Sequence, residues 1–582
     1  MNKPTVRTIR FIAAEKKAEE LAAVSFPVAF PDAQPDETDL ANLARGYLNR
    51  VLDLNVQATG LSFATGDEPM PTFDVSKVQR SKLTRSSLVR FAQTQGSIPI
   101  FGSDLVVEID ESGKLVGVQA DVAKLEDAST EPNLDASAAI AQVAALLGVD
   151  PGSLTLAVAP TLTFYRDEEE GAEGARWHLA WLIRDVPRAP PASSESHGRF
   201  AHRPSPRTRS ARHDYLVDAH DGAILLHYST MPCVRAGSPG LPAIPVRCRG
   251  VDALGHLQEF YGTAVKGGFE LSDPQRKLRT FDLEMGDISG IDIPMPSQPI
   301  HHEQADFSRV NPEAISAHVN VARVWDFYNA ILQRDSVDDK GMELVSIVNC
   351  TSKEDADPDG DPREWGNAIW WDQKMWYGQV QDKKGGLLTF ANCLDIIGHE
   401  LTHGVTENSS GLIYQGQSGA LNESFSDIMG MLIVNWYKSG PDSPVSSWTW
   451  EFAPGCGENG APLRDLSDPR RTGDPAHMKN FLRTREDDGG VHSNSNIHNK
   501  AAYNVLTAID SKGKPVFTPR EVAILYYSTL VRLPSRATFS RTLRVLLDVA
   551  TTFYAVDTEE RDRKLRAIEG AYRKVGIEPD PG

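Results

Sequence analysis

The chain has 582 residues, 40% hydrophobic and 24% charged, and Asp and Glu outnumber Lys and Arg to leave a net charge of −19. That length exceeds one core and implies roughly three to five folding units, while the acidic balance argues against nucleic acid as the main partner. No run approaches the eighteen or so apolar residues of a membrane-spanning helix, and five cysteines are too few, and odd in number, for a disulfide framework.

Residues 1–35 read as a leader without defined structure. Phe11-Ile12-Ala13-Ala14 runs at once into Glu15-Lys16-Lys17-Ala18-Glu19-Glu20, which leaves no apolar region of an ordinary signal peptide. A helix is predicted over 39–54, where Leu43, Tyr47, Leu48 and Val51 share a face. Strands follow at 88–93 and 98–109, and the turn Asp110-Glu111-Ser112-Gly113-Lys114 returns the chain into a strand from Leu115. A second helix is predicted over 135–147, with Asp135 as its N-cap and Gly148 as its stop. Strands at 162–165, 176–184, 215–217 and 224–228 come next, interrupted over 187–212 by a Pro-, Ser- and Arg-rich loop. Residues 230–245 carry four prolines and read as an exposed junction open to proteolysis. From 247 to about 382 short strands and turns dominate, with one helix at 312–334. Helices then take over, at 389–407, 420–438, 496–510, 518–529, 536–552 and 558–574.

Chemistry concentrates at the start of that helical region, in His399-Glu400-Leu401-Thr402-His403. Residues four apart on a helix lie one turn above each other, so both imidazoles can reach a single Zn²⁺. Glu400 then points near the metal without ligating it, where a base for an activated water belongs. Taken alone, the pattern could be two solvated histidines on a surface turn. The next helix lowers that reading, because Leu421, Phe425, Ile428, Met429 and Leu432 form an apolar stripe and Glu423 and Asp427 lie one turn apart off it. A catalytic zinc takes three protein ligands and an open position, and Glu423 is the expected third. Asp427 is placed to hold a histidine by its other nitrogen.

His399-Glu400-x-x-His403 followed by Asn422-Glu423-x-x-x-Asp427 resembles the thermolysin family of zinc endopeptidases, thermolysin being itself a standard example of the His/His/Glu set. Asn367-Ala368-x-Trp370, Gly411-Leu412-Ile413-Tyr414, Asp487-Asp488-Gly489-Gly490-Val491-His492 and Asn499-Lys500-Ala501-Ala502-Tyr503 continue the likeness. The resemblance implies an α+β protein whose two-lobed peptidase is β-rich over 246–385 and helical over 386–582. Ahead of it, 36–125 resembles the FTP propeptide domain, notably in Ile98-Pro99-Ile100-Phe101-Gly102-Ser103-Asp104, and 126–230 resembles a PepSY domain, with 231–245 as the linker where processing falls. By the same resemblance Glu400 is the general base, Tyr414 and His492 donate to the oxyanion, and Asp487 orients His492. Asn367 and Ala368 would bind the substrate main chain, and Arg464 a substrate carbonyl. Phe390, Ile396 and Leu463 would line an apolar pocket, giving cleavage before bulky hydrophobic residues.

The likeness also implies a zymogen whose first 230 or so residues inhibit the enzyme until cut away, acting on protein or peptide substrates, with neither nucleic acid nor membrane as partner. The alternative is a silent binding or inhibitory protein that keeps its N-terminal half. Relatives of this kind are exported, so secretion by a route without an ordinary signal peptide is expected, with a cytoplasmic location as the alternative. The family's double calcium site is expected to be lost: Asp395 matches one ligand, but Val434 stands at another and cannot offer oxygen. The run Asp355-Ala356-Asp357-Pro358-Asp359-Gly360-Asp361 imitates an EF-hand loop but has Gly366 at its twelfth position, so a solvated acidic turn is expected, with Ca²⁺ bound there as the alternative. Free thiols are expected throughout, with a Cys233–Cys248 pair as the alternative. Cys393 is read as core packing on the zinc helix, and Cys233 as incidental rather than a thiolate latch on the metal.

Overall fold

The computed structural model describes residues 6–25, 35–59, 72–125, 129–154, 156, 158–167, 176–187, 212–230, 244–289, 293, 295–353, 361–381, 386–440, 443–457 and 460–580. Cys233, nearly all of the 187–212 loop and of the 231–245 linker, and all but the last residue of the acidic run 355–361 lie outside them.

The N-terminal part contains β1 (Val6–Ile12), α1 (Ala18–Val24), α2 (Glu37–Thr59), β2 (Thr72–Ser81), β3 (Ser86–Gln95), β4 (Ile98–Asp110) and β5 (Leu115–Ala123). β2 to β5 form an antiparallel meander. Part of the segment expected as an ill-defined leader, Val6–Ile12, is an edge strand of this sheet among the described residues. β1 pairs with β5 from Val6 opposite Ala123 to Ile12 opposite Gly117. Alternation along the strand explains the placement. Ile9 and Phe11 enter a core with Leu40, Tyr47, Leu48 and Val51 of α2, while Arg10 faces the other way. The charged run that follows begins α1 instead of ending structure.

α3 (Ala136–Leu147), β6 (Thr161–Arg166), β7 (Trp177–Pro187), β8 (Arg212–Asp218) and β9 (Ile224–Thr230) come next. Asp135 caps α3 by accepting from the Ala138 amide at 2.8 Å, and Gly148 ends it at φ 67°, as anticipated. These strands continue the first sheet through one parallel pairing of Ile100 with Phe164.

The β-rich lobe holds β10 (Pro245–Val251), β11 (Leu257–Val265), β12 (Gly268–Glu270), β13 (Ser272–Asp273), β14 (Leu278–Asp287), β15 (His301–His302), α4 (Pro312–Leu332), β16 (Leu344–Thr351), β17 (Ala368–Trp371), β18 (Lys374–Tyr377), β19 (Gln379–Gln381) and β20 (Leu387–Thr389). Among the described residues β17 is the edge of the sheet ordered β13-β14-β16-β18-β17. Helices α5 (Leu394–Glu407) and α6 (Gly416–Ser439) follow, then the short pair β21 (Glu451–Phe452) and β22 (Arg464–Asp465). The chain finishes with α7 (Asp487–Leu506), α8 (Pro519–Leu530), α9 (Phe539–Phe553) and α10 (Thr558–Arg573). One apolar cluster runs through α4 to α10, and among the described residues no helix is long and apolar enough to cross a membrane.

The N-terminal sheet packs on the helical lobe. Leu88 and Val106 join the apolar cluster of α4 to α10. Arg90, 5% exposed, donates to the carbonyls of Leu533 and Val531 at 2.9 and 2.6 Å. Arg532 pairs with Glu108, Arg10 with Asp548 at 2.5 Å, and the Ser535 amide donates to Asp104 at 2.7 Å. At the far end, Ser229 makes an antiparallel bridge with Tyr414.

Candidate metal centre

Two helices build the centre, and glycines let them approach. A Cβ on Gly430 of α6 would lie 2.4 Å from the Asp395 carbonyl oxygen, and one on Gly398 of α5 would lie 3.0 Å from the Gly430 Cα. α5 starts later than its sequence pattern suggests. Thr389 caps a short turn over Phe390–Asn392, and Cys393 becomes the N-cap of α5, preceding the helix instead of riding on it.

The Nε2 atoms of His399 and His403 face each other at 3.0 Å. Glu423 of α6 completes the group, with Oε2 3.5 Å from His399 Nε2 and Oε1 3.4 Å from His403 Nε2. All three side chains are buried. His399 Nδ1 donates to Asp427 Oδ1 at 2.9 Å and His403 Nδ1 to Asn422 Oδ1 at 2.9 Å, which turns both Nε2 lone pairs inward. Two acceptors and a buried carboxylate converging in this way suit a cation. The Glu423 Oε2 atom is buried and accepts no hydrogen bond, an orphan a metal would satisfy. Burial opposes ionisation of Glu423, but His492, His399, His403 and Arg464 overcome it and hold its carboxyl well below the usual range.

Glu400 lies one residue along from His399, its Oε2 accepting from the Trp370 amide of β17 at 2.7 Å. Burial pushes its pKa up to about 7, although His399 and that hydrogen bond pull it down. Tyr414 donates its hydroxyl to Glu423 Oε1 and lies 3.2 Å from His492 Nε2. Asp487 grips His492 twice, at Nδ1 (2.6 Å) and at its backbone amide (3.0 Å). The grip depends on a left-handed kink over Asp488, Gly489 and Gly490, so α7 opens at Asp487 where its pattern alone suggested 496.

Arg464 reaches across to α6. Its Nη2 donates to Asp427 Oδ1 at 2.7 Å and lies 3.9 Å from Glu423 Oε2, while its guanidinium stacks 4.9 Å from the Phe452 ring centroid. Neighbouring Asp465 pairs with Arg471 instead. Ala368 opens β17 and Asn367 precedes it. Phe390 and Ile396 are buried in the core cluster, whereas Leu463 is 38% exposed. Four contributors escaped the sequence reading: Asn422, Asn499, whose Nδ2 donates to Asp427 Oδ2 at 2.7 Å, the Trp370 amide, and Phe452, whose ring lies 5.5 Å from that of His399. Asn422 and Asn499 both stood inside recognisable motifs, which was the available signal.

A buried His/His/Glu cluster on two crossing helices, with a carboxylate beside it, between a β-rich and a helical lobe, defines a metal-dependent hydrolase. Comparison with known proteins gives the family. Residues 248–407 match the thermolysin metallopeptidase catalytic domain, 410–577 its alpha-helical domain, and 72–122 the fungalysin/thermolysin propeptide motif. The chain belongs to the thermolysin family of metallopeptidases, with the α+β, two-lobed architecture expected. It is similar to neutral protease B of Bacillus subtilis (29% identical, covering 87% of this chain and 85% of that one) and to bacillolysin of Bacillus cereus (27%, 87% and 85%). An extracellular elastase of Staphylococcus epidermidis is 32% identical over 56% of this chain and 58% of its own.

Proposed function

We propose that this chain is a zinc-dependent endopeptidase made as a self-inhibited zymogen, with His399, His403 and Glu423 holding the ion. The observation that carries this is the convergence of three buried donors, one with an orphaned carboxylate oxygen, beside Glu400. Zinc held there supplies Lewis acidity, polarising a peptide carbonyl and bringing the pKa of a water toward roughly 7.

The chain's own residues do the rest. Glu400, fixed at Oε2 by Trp370, accepts the attacking water's proton and returns it to the departing amine nitrogen. Asp427 and Asn422 keep the two imidazoles in one tautomer. Tyr414 and His492 donate to the carbonyl oxygen as it gains charge, and Asp487 holds His492 in place. Asn367 and Ala368, at the edge strand β17, pair with the substrate backbone. Phe390, Ile396 and Leu463 favour a bulky hydrophobic residue after the scissile bond. Arg464 holds Asp427 with Nη2, leaving its remaining donors for a substrate carbonyl.

The N-terminal sheet is the intramolecular inhibitor, supported by its ion pairs to α9 and to the end of α8 and by the Ser229–Tyr414 bridge. We read the family's double calcium site as lost. Asp395 directs Oδ1 to the Ile396 amide and Oδ2 to the Ala453 amide, and Val434 has no oxygen to offer. We read the chain as exported, as the extracellular elastase it resembles is by its name.

Glu400→Gln tests the whole proposal. The variant should bind zinc normally, stay as the 63.8 kDa chain, and leave casein intact. The parent should shorten to roughly 37 kDa, at ~110 Da per residue from about residue 240. A parent that never shortens and never digests casein at any zinc level would favour a silent binding protein.

A further inference from the structure

Cys393 and Cys456 are 63 positions apart, yet their Sγ atoms stand 3.3 Å from each other. The four described cysteines are free thiols in this structure, as expected, and nothing in their spacing announces this contact. Cys393 is the N-cap of α5 but makes no capping hydrogen bond with its side chain. Among the described residues the other cysteines, Cys248 and Cys350, lie on strands β10 and β16 of the β-rich lobe. A disulfide needs an S–S distance of about 2.05 Å, so closure requires a shift of only about 1.3 Å.

What the two thiols join makes the contact informative. Cys393 begins the helix that carries His399 and His403. Cys456 ends a turn whose Ala453 amide donates to Asp395 in the first turn of that helix, at 2.7 Å. Just before it, Phe452 packs on the His399 ring and pairs with Arg464, which holds Asp427, which in turn holds His399. A bond between these sulfurs would close a covalent ring around one side of the metal centre.

We propose that Cys393 and Cys456 form a disulfide that locks the turn after β21 onto the N-terminus of the ligand helix. Two S–H bonds break and one S–S bond forms. The two electrons and two protons pass to the disulfide of a low-molecular-weight thiol or of a thiol–disulfide oxidoreductase, which is released as two thiols. The neighbouring Cys456 thiol and burial raise the Cys393 thiol well above its ordinary range, so exchange in the folded protein is slow. The bond therefore forms before the turn closes and resists reduction afterwards, which suits an enzyme that folds in an oxidising compartment.

The test is to refold the full chain with a mixture of oxidised and reduced glutathione, block remaining thiols with iodoacetamide in denaturant without reductant, and map the peptides by mass. The Cys393 and Cys456 peptides should emerge as one species two hydrogens lighter than their sum, with Cys350 alkylated. The metal-free oxidised chain should melt roughly 5–10 °C above the reduced one, and a Cys393→Ala/Cys456→Ala double variant should lose that redox difference. With zinc on His399, His403 and Glu423 as proposed above, the oxidised form should lose it to EDTA about tenfold more slowly. Recovery of both cysteines alkylated after oxidative refolding overturns the proposal, as does a melting shift that persists in the double variant. Thiol mapping and metal-free melting are independent of whether zinc binds.

Discussion

Replacing Gly430 by alanine puts a methyl group where two ligand-bearing helices touch. The new Cβ would stand 2.4 Å from the Asp395 carbonyl oxygen, 1.0 Å short of the 3.4 Å at which ordinary contact begins, and 3.2 Å from the Phe452 ring. The obstacle is helix backbone, so α6 must move by about 1 Å relative to α5. Overpacking of this kind costs roughly 1–3 kcal/mol, partly offset by about 1 kcal/mol of helix propensity gained over glycine. Global stability should therefore fall by no more than about 2 kcal/mol. The site is less tolerant, because Glu423 rides on α6 and both histidines on α5. A displacement near 1 Å is worth about 10²-fold in rate when it misplaces reacting groups. Zinc affinity, measured by competition with a chromogenic chelator, should fall 10- to 100-fold, and casein hydrolysis at saturating zinc about 10²-fold. Gly570→Ala is the control: it lies within α10 and a Cβ there meets nothing within 4 Å, so it should stabilise by about 0.5–1 kcal/mol and leave activity unchanged. Gly430→Ala within twofold of the parent in both zinc affinity and rate would refute the claim that this contact sets the site's geometry.

Asp427→Asn takes from the Arg464 guanidinium its nearer anionic partner, leaving Glu423 at 3.9 Å, and cannot satisfy His399, Arg464 and Asn499 together; it should cost roughly 3–5 kcal/mol in urea unfolding and weaken zinc 10- to 100-fold by chelator competition. Arg90→Ala removes the two hydrogen bonds to the Val531 and Leu533 carbonyls, so the precursor should mature faster on a timed gel while the mature enzyme's rate stays the same. Burial lowers the pKa of His498 to about 3, against about 6.5 unfolded. Below pH 6.5 the unfolded chain takes up a proton that the folded one refuses, so stability is complete above 6.5 and declines toward pH 3, by about 3 kcal/mol at pH 4. Urea titrations at pH 7 and pH 4 should show that loss shrinking in His498→Gln.

The parts of this molecule that could be read in advance were those written over short spans. Two histidines four apart, Glu423 and Asp427 one turn apart, and the Asp135 and Gly148 caps each follow from local helix geometry. The parts that could not be read depend on distant segments meeting. Arg464 reads locally as a partner of Asp465 or Asp468, but the β21–β22 pairing turns it toward Asp427, 37 positions away. Cys393 and Cys456 meet only because the turn after β21 folds back on α5. β1 was missed because seven alternating residues beside a charged run carry too weak a signal, and its pairing partner lies more than a hundred positions on.

The edge strand β17 is interrupted in a telling place. Trp370 directs its amide away from β18 and into Glu400, so a peptide lying along this edge finds that donor already taken. Pairing is open at Ala368 and closes two residues later, at the Glu400 carboxylate. If Glu400 acts as the base, the point of scission is measured off in main-chain steps from the end of the strand, whatever side chains the visiting peptide carries. On the proposed roles, pocket residues decide which peptides stay, while the position of the cut is inherited from the sheet.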